Sequence, residues 1–432
     1  MQKTTPDELL IRYKTHPYIS TDSRIAQPGS IFFALKGDNF NGNEYCEKAL
    51  DNGAAYAVID DSDFYIDQRT LLVDDVLASL QQLASDFRKH LRIPVIGITG
   101  TNGKTTTKEL MATALSARFV THATVGNLNN HIGVPITILT IKPETEIAVI
   151  EMGANHIGEI ETLCKIARPT HGIITNIGKA HLEGFGSAEG VIKAKNELYN
   201  HFRQNGGTVF VNADNPLLMS LTSGMERITY GESENADFRG RIITGGQFLE
   251  FGIENPAISH IATKLAGSYN FENAMAALCI AGHFRVKPEE AVKAVENYEP
   301  KMNRSQVLKT DKNTLILDAY NANPSSMQAA IHNFSAMNAP DKVLLLGDMF
   351  ELGTEAGIEH KAILELAITN HFKSIITVGP HFAEAAAGKQ NVEAVSTVSE
   401  LNDYLIHAGI VGATILIKGS RGMKLETITA NL

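Results

Sequence analysis

One stretch, residues 94–107 (PVIGITGTNGKTTT), constrains the fold of this chain more than any other. An apolar run ends in a glycine-rich turn, after which Lys104 and Thr105 open a helix-compatible segment. Gly100 and Gly103 let the backbone N–H groups face one point, where the lysine and the helix dipole add positive charge. The stretch therefore predicts a phosphate-binding loop between a strand and a helix. The simpler alternative is a tight strand–helix turn with a solvated lysine.

The rest of the chain divides into three α/β blocks, at residues 1–90, 91–298 and 299–432. In the second and third blocks, apolar runs alternate with helical stretches, which indicates parallel strands with crossover connections. We predict a small N-terminal α/β domain, a central domain with a mostly parallel P-loop-type sheet, and a C-terminal Rossmann-like domain. The strands expected in the two larger blocks are 95–98, 147–150, 172–174, 208–211, 315–317, 343–346, 374–378 and 414–417.

Composition excludes several classes of protein. A formal net charge of -10 argues against a non-specific binder of nucleic acid or of an anionic membrane surface. The three cysteines are far apart and form no CxxC pair, which disfavours a disulfide framework or a zinc site. The sequence shows no signal-type segment and no run of 18 apolar residues. We expect a cytoplasmic protein that does not insert into a membrane.

Polar residues at two further strand ends are candidates for a metal site. Glu151 follows the strand 147–150, and His181 follows the strand 172–174. With the hydroxyl of Thr105 they would meet where the phosphate loop lies. A hard cation prefers oxygen ligands, which Glu151 and Thr105 supply. The alternatives are a solvated loop glutamate and a hydrogen-bonded loop histidine. Lys193 and Lys195 lie on a helix, where spacing alone favours solvated lysines.

The third block supplies polar groups that could reach a nucleotide across a cleft. Asp318, Asn321 and Asn323 end a strand, and Arg304 lies in the segment that leads into the block. An Asx-rich turn that caps the next helix explains the same asparagines equally well. In the second block, Asn270 and Asn273 could bond the edges of an adenine, or they could cap the helix that starts there.

Taken in order, these motifs resemble the Mur ligases, ATP-dependent amide-forming enzymes of peptidoglycan synthesis. Within that family, three long stretches are similar to members that add D-alanyl-D-alanine. The matching segments are 100–105 (GTNGKT), 151–153 (EMG), 180–183 (AHLE), 194–197 (AKNE), 270–273 (NFEN), Arg304, and the three long stretches 126–135, 318–327 and 346–353. The N-terminal segments 22–24 and 34–37 resemble those that bind a uridine nucleotide.

The resemblance implies an activity and a set of substrates. The expected reaction joins D-alanyl-D-alanine to UDP-N-acetylmuramoyl-tripeptide, with ATP consumed through an acyl-phosphate intermediate and the enzyme acting as a monomer. It also implies that Lys195 is carbamylated and serves as an anionic ligand of Mg²⁺, which spacing alone does not indicate.

The resemblance assigns roles to individual residues as well. The implied catalytic residues are Lys104, His181 and Lys195. The implied magnesium ligands are Thr105, Glu151, His181 and Lys195. The implied nucleotide-binding residues are Gly100, Thr101, Asn102, Gly103, Lys104, Thr105, Thr106, Asn270, Asn273, Arg304, Asp318, Asn321 and Asn323. The implied substrate-binding residues are Ser23, Arg24, Asn129, Asn130 and His131.

Two other functions fit parts of the same pattern. One is a different amide ligase of the superfamily, such as a folylpolyglutamate synthase or a tripeptide-forming Mur enzyme, which lacks the stretches 320–324 and 347–352. The other is a non-catalytic nucleotide-binding regulator. A panel of substrates separates the first from the predicted activity, and ATP consumption with both substrates separates the second.

Overall fold

The N-terminal part of the chain forms a four-stranded parallel sheet in the order β1-β2-β5-β6. The computed structural model describes residues 2–243 and 247–432. Asp75 starts the last helix of this part, since its carboxylate accepts the N–H of Ala78. The elements are α1 (Pro6–Thr15), β1 (Ile19–Ser20), β2 (Ile31–Phe33), β3 (Lys36–Gly37), β4 (Phe40–Asn41), α2 (Cys46–Asp51), β5 (Tyr56–Ile59), β6 (Thr70–Leu72) and α3 (Val76–His90).

The central part is built on a larger sheet, whose described strands run in the order β15-β14-β13-β12-β11-β10-β7-β9-β8. The elements are β7 (Val95–Thr99), α4 (Lys104–Leu115), β8 (Thr121–Ala123), α5 (Gly133–Leu139), β9 (Ile147–Glu151), α6 (Glu159–Ala167), β10 (His171–Ile174), α7 (Leu182–Phe185), α8 (Ala188–Asn205), β11 (Thr208–Asn212), α9 (Pro216–Leu221), β12 (Arg227–Gly231), β13 (Phe238–Ile243), β14 (Phe248–Ile253), β15 (Ile261–Ala266), α10 (Asn270–His283) and α11 (Pro288–Asn297).

This central sheet is mostly parallel, as predicted. Going along the sheet from β8 through β9, β7, β10, β11 and β12 to β13, neighbouring strands pair in parallel. β14 pairs antiparallel with β13 on one side and with β15 on the other. The predicted strands at 95–98, 147–150, 172–174 and 208–211 are all present, each one residue longer than predicted. The strands from β12 to β15 were not predicted from the sequence.

The C-terminal part contains a six-stranded sheet in the order β16-β17-β21-β18-β19-β20, with an antiparallel edge strand β16 and otherwise parallel pairing. All four strands predicted there are present. The elements are β16 (Gln306–Lys309), β17 (Thr314–Asp318), α12 (Pro324–Ala336), β18 (Lys342–Gly347), α13 (Ala356–Thr369), β19 (Ser374–Val378), α14 (Pro380–Ala385), β20 (Glu393–Val395), α15 (Val398–Ala408) and β21 (Thr414–Lys418).

Packing joins the N-terminal part to the central part. Leu80 and Leu83 of α3 belong to the same buried apolar cluster as Ile138 of α5 and Leu163 of α6. The C-terminal sheet has its own buried clusters on its two faces. In the described residues, no helix is both long enough and apolar enough to cross a bilayer.

Candidate active site

The glycine-rich loop lies between β7 and α4, and the predicted start of the helix at Lys104 is confirmed. Gly100 has φ +146° and Gly103 has φ +77°, values that L side chains rarely adopt. A Cβ atom at Gly100 would lie 2.0 Å from the hydroxyl oxygen of Thr175. The side chain of Lys104 turns back over the loop and donates to the carbonyls of Gly100 at 2.8 Å and Thr101 at 3.1 Å. Its ammonium group is thus held against the loop by two carbonyls.

This loop forms one wall of a cleft of about 1030 Å³ between the central and C-terminal parts. The cleft brings together most of the residues that the sequence singled out. Those that line it are Thr101, Asn102, Gly103, Lys104, Thr105, Thr106, Asn129, Asn130, His131, Glu151, His181, Asn270, Asn273, Arg304, Asp318, Asn321 and Asn323. Gly100, Lys195, Ser23 and Arg24 are not among the lining residues.

Glu151 is the last residue of β9 and is almost fully buried. Its Oε1 accepts hydrogen bonds from the Thr105 hydroxyl at 3.1 Å and from the Asn129 amide at 2.8 Å. Its Oε2 has no hydrogen-bond partner among the described residues. A buried carboxylate oxygen without a partner is costly unless a cation binds it.

Lys108 is a part of this site that sequence reasoning missed. Its ammonium group is buried, donates to the carbonyl of Thr124 at 2.7 Å, and lies 3.9 Å from Oε2 of Glu151. Burial lowers the pKa of Lys108, and the nearby carboxylate of Glu151 opposes that shift. Lys108 lies one helical turn after Lys104 on α4, and this i,i+4 spacing was the available signal.

His181 lies in the loop before α7 with a left-handed backbone, φ +51°. Its Nδ1 contacts the carboxylate of Glu351, which belongs to the C-terminal part. This contact lowers the pKa of Glu351. Among the described residues, histidine, cysteine and carboxylate side chains nowhere gather in threes that could hold a metal.

Lys195 is buried on α8, whereas Lys193 is exposed. The Nζ of Lys195 lies 3.5 Å from the carbonyl of Ala154 and 5.4 Å from the ring centre of Phe185. Burial, with a smaller contribution from the charge of Lys104, lowers the pKa of Lys195 to about 7. The expectation from spacing alone, a solvated lysine, is therefore wrong for Lys195.

The C-terminal wall of the cleft is organised around Asp318. The buried ammonium group of Lys418 donates to Asp318 Oδ2 at 2.6 Å, a pairing that the sequence did not reveal. The guanidinium of Arg304 stacks on the ring of Tyr320 at 3.5 Å. The Nε of Arg304 is buried and has no acceptor among the described residues. An anionic ligand in the cleft would supply one.

The local geometry tests the capping interpretation of the asparagines, while their contacts with a nucleotide stay a prediction. Asn323 caps α12, as the alternative interpretation held, because its side chain accepts the N–H of Ser326; its amide also donates to Asn102 at 2.8 Å. The capping interpretation is wrong for Asn270, which is already helical and whose amide donates to the carbonyl of Ala266 at 2.8 Å. Asn273 instead accepts the hydroxyl proton of Thr107 at 2.9 Å.

The two N-terminal candidates lie apart from the cleft lining. Ser23 is buried, and Arg24 is exposed in the short 3₁₀ turn Ser23–Ile25. The guanidinium of Arg24 pairs with the carboxylate of Asp22 at 2.6 Å. Their role with a substrate stays a prediction.

Family models match three parts of the chain. The "Mur ligase family, catalytic domain" model matches residues 17–88, the "Mur ligase middle domain" model residues 98–281, and the "Mur ligase, glutamate ligase domain" model residues 303–421. The chain belongs to the Mur ligase family. One relative within it is the UDP-N-acetylmuramoyl-tripeptide–D-alanyl-D-alanine ligase of Bacillus subtilis, 37% identical over 96% of this chain and 92% of the relative. The Escherichia coli ligase of the same name is 33% identical over 96% and 93%.

Solved structures of Mur ligases share the fold. MurF from Acinetobacter baumannii superposes with a TM-score of 0.87 at 33% identity, covering 96% of this chain and 93% of that chain. MurF ligase from Thermotoga maritima in complex with ADP superposes with a TM-score of 0.84 at 25% identity, covering 96% of both chains. The three-domain α/β fold predicted from the sequence is thereby confirmed.

Proposed function

We propose that this chain is an ATP-dependent ligase that joins D-alanyl-D-alanine to UDP-N-acetylmuramoyl-tripeptide in peptidoglycan precursor synthesis. The observation that carries the proposal is near full-length similarity to curated ligases of that name. The cleft supports it independently, because it presents a phosphate loop opposite a second wall of polar side chains. The complex of the Thermotoga maritima relative with ADP supports nucleotide binding in such a fold.

ATP is proposed to lie with its phosphates on the loop. The backbone amides near Gly103, the start of α4 and the ammonium group of Lys104 all favour negative charge there. Arg304 faces the same cleft from the C-terminal side, where its buried Nε lacks an acceptor among the described residues. Positive groups on both walls would neutralise the charge that develops during phosphoryl transfer.

The residues present fit a magnesium ion beside the phosphates. Oε2 of Glu151 is buried without a hydrogen-bond partner in the described residues, and the hydroxyl of Thr105 is bonded to Oε1 of the same carboxylate. Both are hard oxygen ligands, the type that Mg²⁺ prefers. When bound, the ion would neutralise phosphate charge. Lys108 and Asn129 would hold the Glu151 carboxylate in place.

The surroundings of Lys195 fit carbamylation. Reaction with CO₂ requires a neutral amine, and burial has lowered the pKa of Lys195 to about 7. The carbamate would be an anionic oxygen ligand for a second magnesium ion, with His181 beside it. In this arrangement the pair between His181 and Glu351 would either break so that the ring can bind the metal, or persist and hold the ring in position for the metal.

The chemical sequence that we propose follows from the weakness of a carboxylate as an electrophile. The terminal carboxylate of the tripeptide attacks the γ-phosphorus of ATP, and ADP leaves. The acyl phosphate is then attacked by the amine of D-alanyl-D-alanine, and inorganic phosphate leaves with one proton lost from the amine. The protein's part is to align three ligands and to exclude water.

The domain roles are also proposals. Residues 1–90 would bind the uridine nucleotide, 91–298 would bind ATP, and 299–432 would close over ATP and bind the dipeptide. Asn129, Asn130 and His131 line the cleft on the side of the central part, where they could contact the peptide substrate. We propose a cytoplasmic monomer; the cytoplasmic location fits the three cysteines, all of which are free thiols, as in a reducing compartment.

A ligation assay tests the proposal. The full chain is incubated with ATP, Mg²⁺, D-alanyl-D-alanine and UDP-N-acetylmuramoyl-tripeptide carrying either lysine or diaminopimelate at the third position. We expect the UDP-linked pentapeptide, ADP and phosphate with at least one tripeptide. Folate with glutamate, and the UDP-linked dipeptide with lysine or diaminopimelate, serve as control substrates. Product with either control and none with the tripeptides would reject the proposal.

A further inference from the structure

A pair of histidines lies outside the cleft and has no part in the proposed reaction. His171 is the first residue of β10, and His283 is the last residue of α10. Their Nε2 atoms are 3.3 Å apart. The cleft residues Thr175 and Asn176 follow the other end of β10, so the pair lies at the opposite edge of the central sheet. Both imidazoles are therefore available to a ligand that does not enter the active site.

The hydrogen bonds of His171 fit the tautomer that a metal ligand needs. The hydroxyl of Thr170 accepts the N–H of Val95 at 3.0 Å and lies 3.2 Å from the carbonyl of Val95. The same hydroxyl lies 2.9 Å from Nδ1 of His171. With the Thr170 proton on the Val95 carbonyl, Nδ1 of His171 donates to the hydroxyl and Nε2 keeps its lone pair.

Aromatic packing holds the two rings in place. His171 stacks on Phe210 with a centroid separation of 6.2 Å, and the ring of Phe284 lies 4.9 Å from it. His283 contacts Phe210 edge-on at 5.4 Å. The distance between the two Nε2 atoms is accordingly fixed by the sheet and the helix rather than by free side chains.

We propose that His171 and His283 form a binding site for a transition-metal ion of the zinc class. Two imidazole nitrogens on one tetrahedral zinc, each at 2.0–2.1 Å, are about 3.3–3.4 Å apart. The observed separation of 3.3 Å matches this span. In the tautomer that leaves Nε2 to the ion, the Nδ1–H of His171 donates to Thr170, the kind of outer hydrogen bond that metal-ligating histidines make. Water completes the coordination, because His283 is exposed.

The charge state of the pair suits a metal ligand. Burial, together with the neighbouring His283, lowers the pKa of His171 to about 4, so its imidazole is neutral at neutral pH. Burial also lowers the pKa of His283, while the negative charge of Glu226 opposes that shift. Both Nε2 lone pairs must face the ion, so in the bound state His283 carries its ring proton on Nδ1. The nearby Glu226 carboxylate favours the added positive charge.

Zinc titration of the full chain, without nucleotide, tests this site. Bound Zn²⁺ is measured by equilibrium dialysis at pH 7.5 for the wild type and for the variants His283→Gln and His171→Gln. His407→Gln is the matched control, because His407 is an exposed histidine whose Nδ1 contacts the carbonyl of Asp403 in its own helix. We expect one zinc ion fewer, or at least a tenfold weaker site, in either pair variant and no change in the control.

Three further measurements make the outcome decisive. Zinc should raise the melting temperature of the wild type more than that of His283→Gln, because the ion joins α10 to the sheet. Ligase activity with Mg²⁺ should be equal in the two proteins. Anomalous scattering at the zinc edge should give a peak bonded to both Nε2 atoms. Equal zinc binding by all variants, or a peak only beside Glu151, would overturn the proposal.

Discussion

At the scale of single residues, Lys104 carries the charge on which phosphate binding depends. Its ammonium group is held by two loop carbonyls, so it is positioned before any ligand arrives. We expect Lys104→Ala to lower the ligation rate by at least about 10²-fold, because the charge that faces the developing negative charge is lost. The measurement is the steady-state rate with saturating substrates, with melting temperature as the control for folding. Near-normal turnover would rule out the phosphate-loop assignment.

Lys195 gives a second residue-scale prediction, in which its lowered pKa sets the pH dependence. The pKa is near 7, so the neutral fraction of the amine grows as pH rises from 6 to 8. At a fixed CO₂ pressure we expect the ¹³C NMR signal of a carbamate to increase over that range. Lys195→Ala should lack the signal and be nearly inactive, with partial rescue by a small carboxylate.

Lys193→Ala provides the matched control for Lys195. It lies two residues earlier on the same helix but is exposed, so it should keep both the carbamate signal and the activity. A plain ammonium at Lys195 in fully active enzyme would contradict the carbamate proposal.

Arg24 allows a residue-scale test of the N-terminal domain. Its guanidinium is exposed and is oriented by Asp22, which leaves one side open to a phosphate. We predict that Arg24→Ala raises KM for the UDP-linked substrate at least tenfold more than KM for ATP. Arg69→Ala is the control, since it removes a similar exposed pair with Asp67. Equal effects on both Michaelis constants would count against a uridine-nucleotide site here.

Sequence reasoning at this scale succeeded where residue type and position along a strand were informative together. The glycines at 100 and 103 and the carboxylate at 151 were predicted because such residues follow parallel strands at one edge of a sheet. The two buried cations, Lys108 and Lys418, were not predicted. Their importance lies in contacts with Glu151 and Asp318, which are 43 and 100 positions away in the sequence.

At the scale of elements, parallel strands were predictable and the antiparallel extension was not. Parallel strands such as β7 and β9 are buried on both faces and read as continuous apolar runs. β13 has a single buried residue, Gly240, and contains two arginines, so it lacks such a run. Residues 244–246, between β13 and β14, lie outside the described part of the chain.

The contact between the loop before α7 and helix α13 gives an element-scale prediction. Lys179 of the central part donates to the buried carboxylate of Glu359 in the C-terminal part at 2.7 Å. In the closed arrangement the buried carboxylate of Glu359 has Lys179 as its partner. Without Lys179 the carboxylate is better solvated when the domains separate, so the closed arrangement should become less stable. Such a pair contributes roughly 0.2–1 kcal/mol, which corresponds to at most about a fivefold change. We expect Lys179→Ala to raise KM for ATP by up to that factor.

Lys373→Ala is the control for this ion pair. The Lys373 side chain has the same exposure, 57%, but its partner Asp341 lies within the same domain. It should leave KM for ATP unchanged. If both variants behave alike, the pair between Lys179 and Glu359 does not contribute to closure.

At the scale of the whole molecule, the cleft depends on groups from two sheets. The loop amides, Lys104 and Glu151 belong to the central sheet, whereas Asp318 and Lys418 belong to the C-terminal one. The general α/β architecture could be predicted because alternating apolar and helical segments dictate it. How the sheets face each other could not, because it rests on single contacts such as the one between Asn102 and Asn323.

These contacts lead to a prediction about closure. Asn102 is bonded to both Asn323 and Ser325 of the C-terminal part, at 2.8 and 2.9 Å, and lies on the phosphate loop itself. Nucleotide on the loop should therefore favour the closed arrangement, which excludes water from the acyl phosphate. Solution scattering should show a smaller radius of gyration with an ATP analogue and UDP substrate than without them. Asn102→Ala should reduce this compaction.

A shortened chain tests the same prediction from the opposite direction. A protein ending near residue 298 keeps the phosphate loop, Glu151 and Lys195 but loses Arg304, Asp318 and Lys418. We expect it to bind ATP weakly and to form no pentapeptide, since neither the second wall of the cleft nor the shield against water remains. Its folding is checked by a cooperative thermal transition before the assay. Ligation of D-alanyl-D-alanine at the full-length rate by such a folded fragment would refute the closure model, because one sheet would then suffice for the reaction.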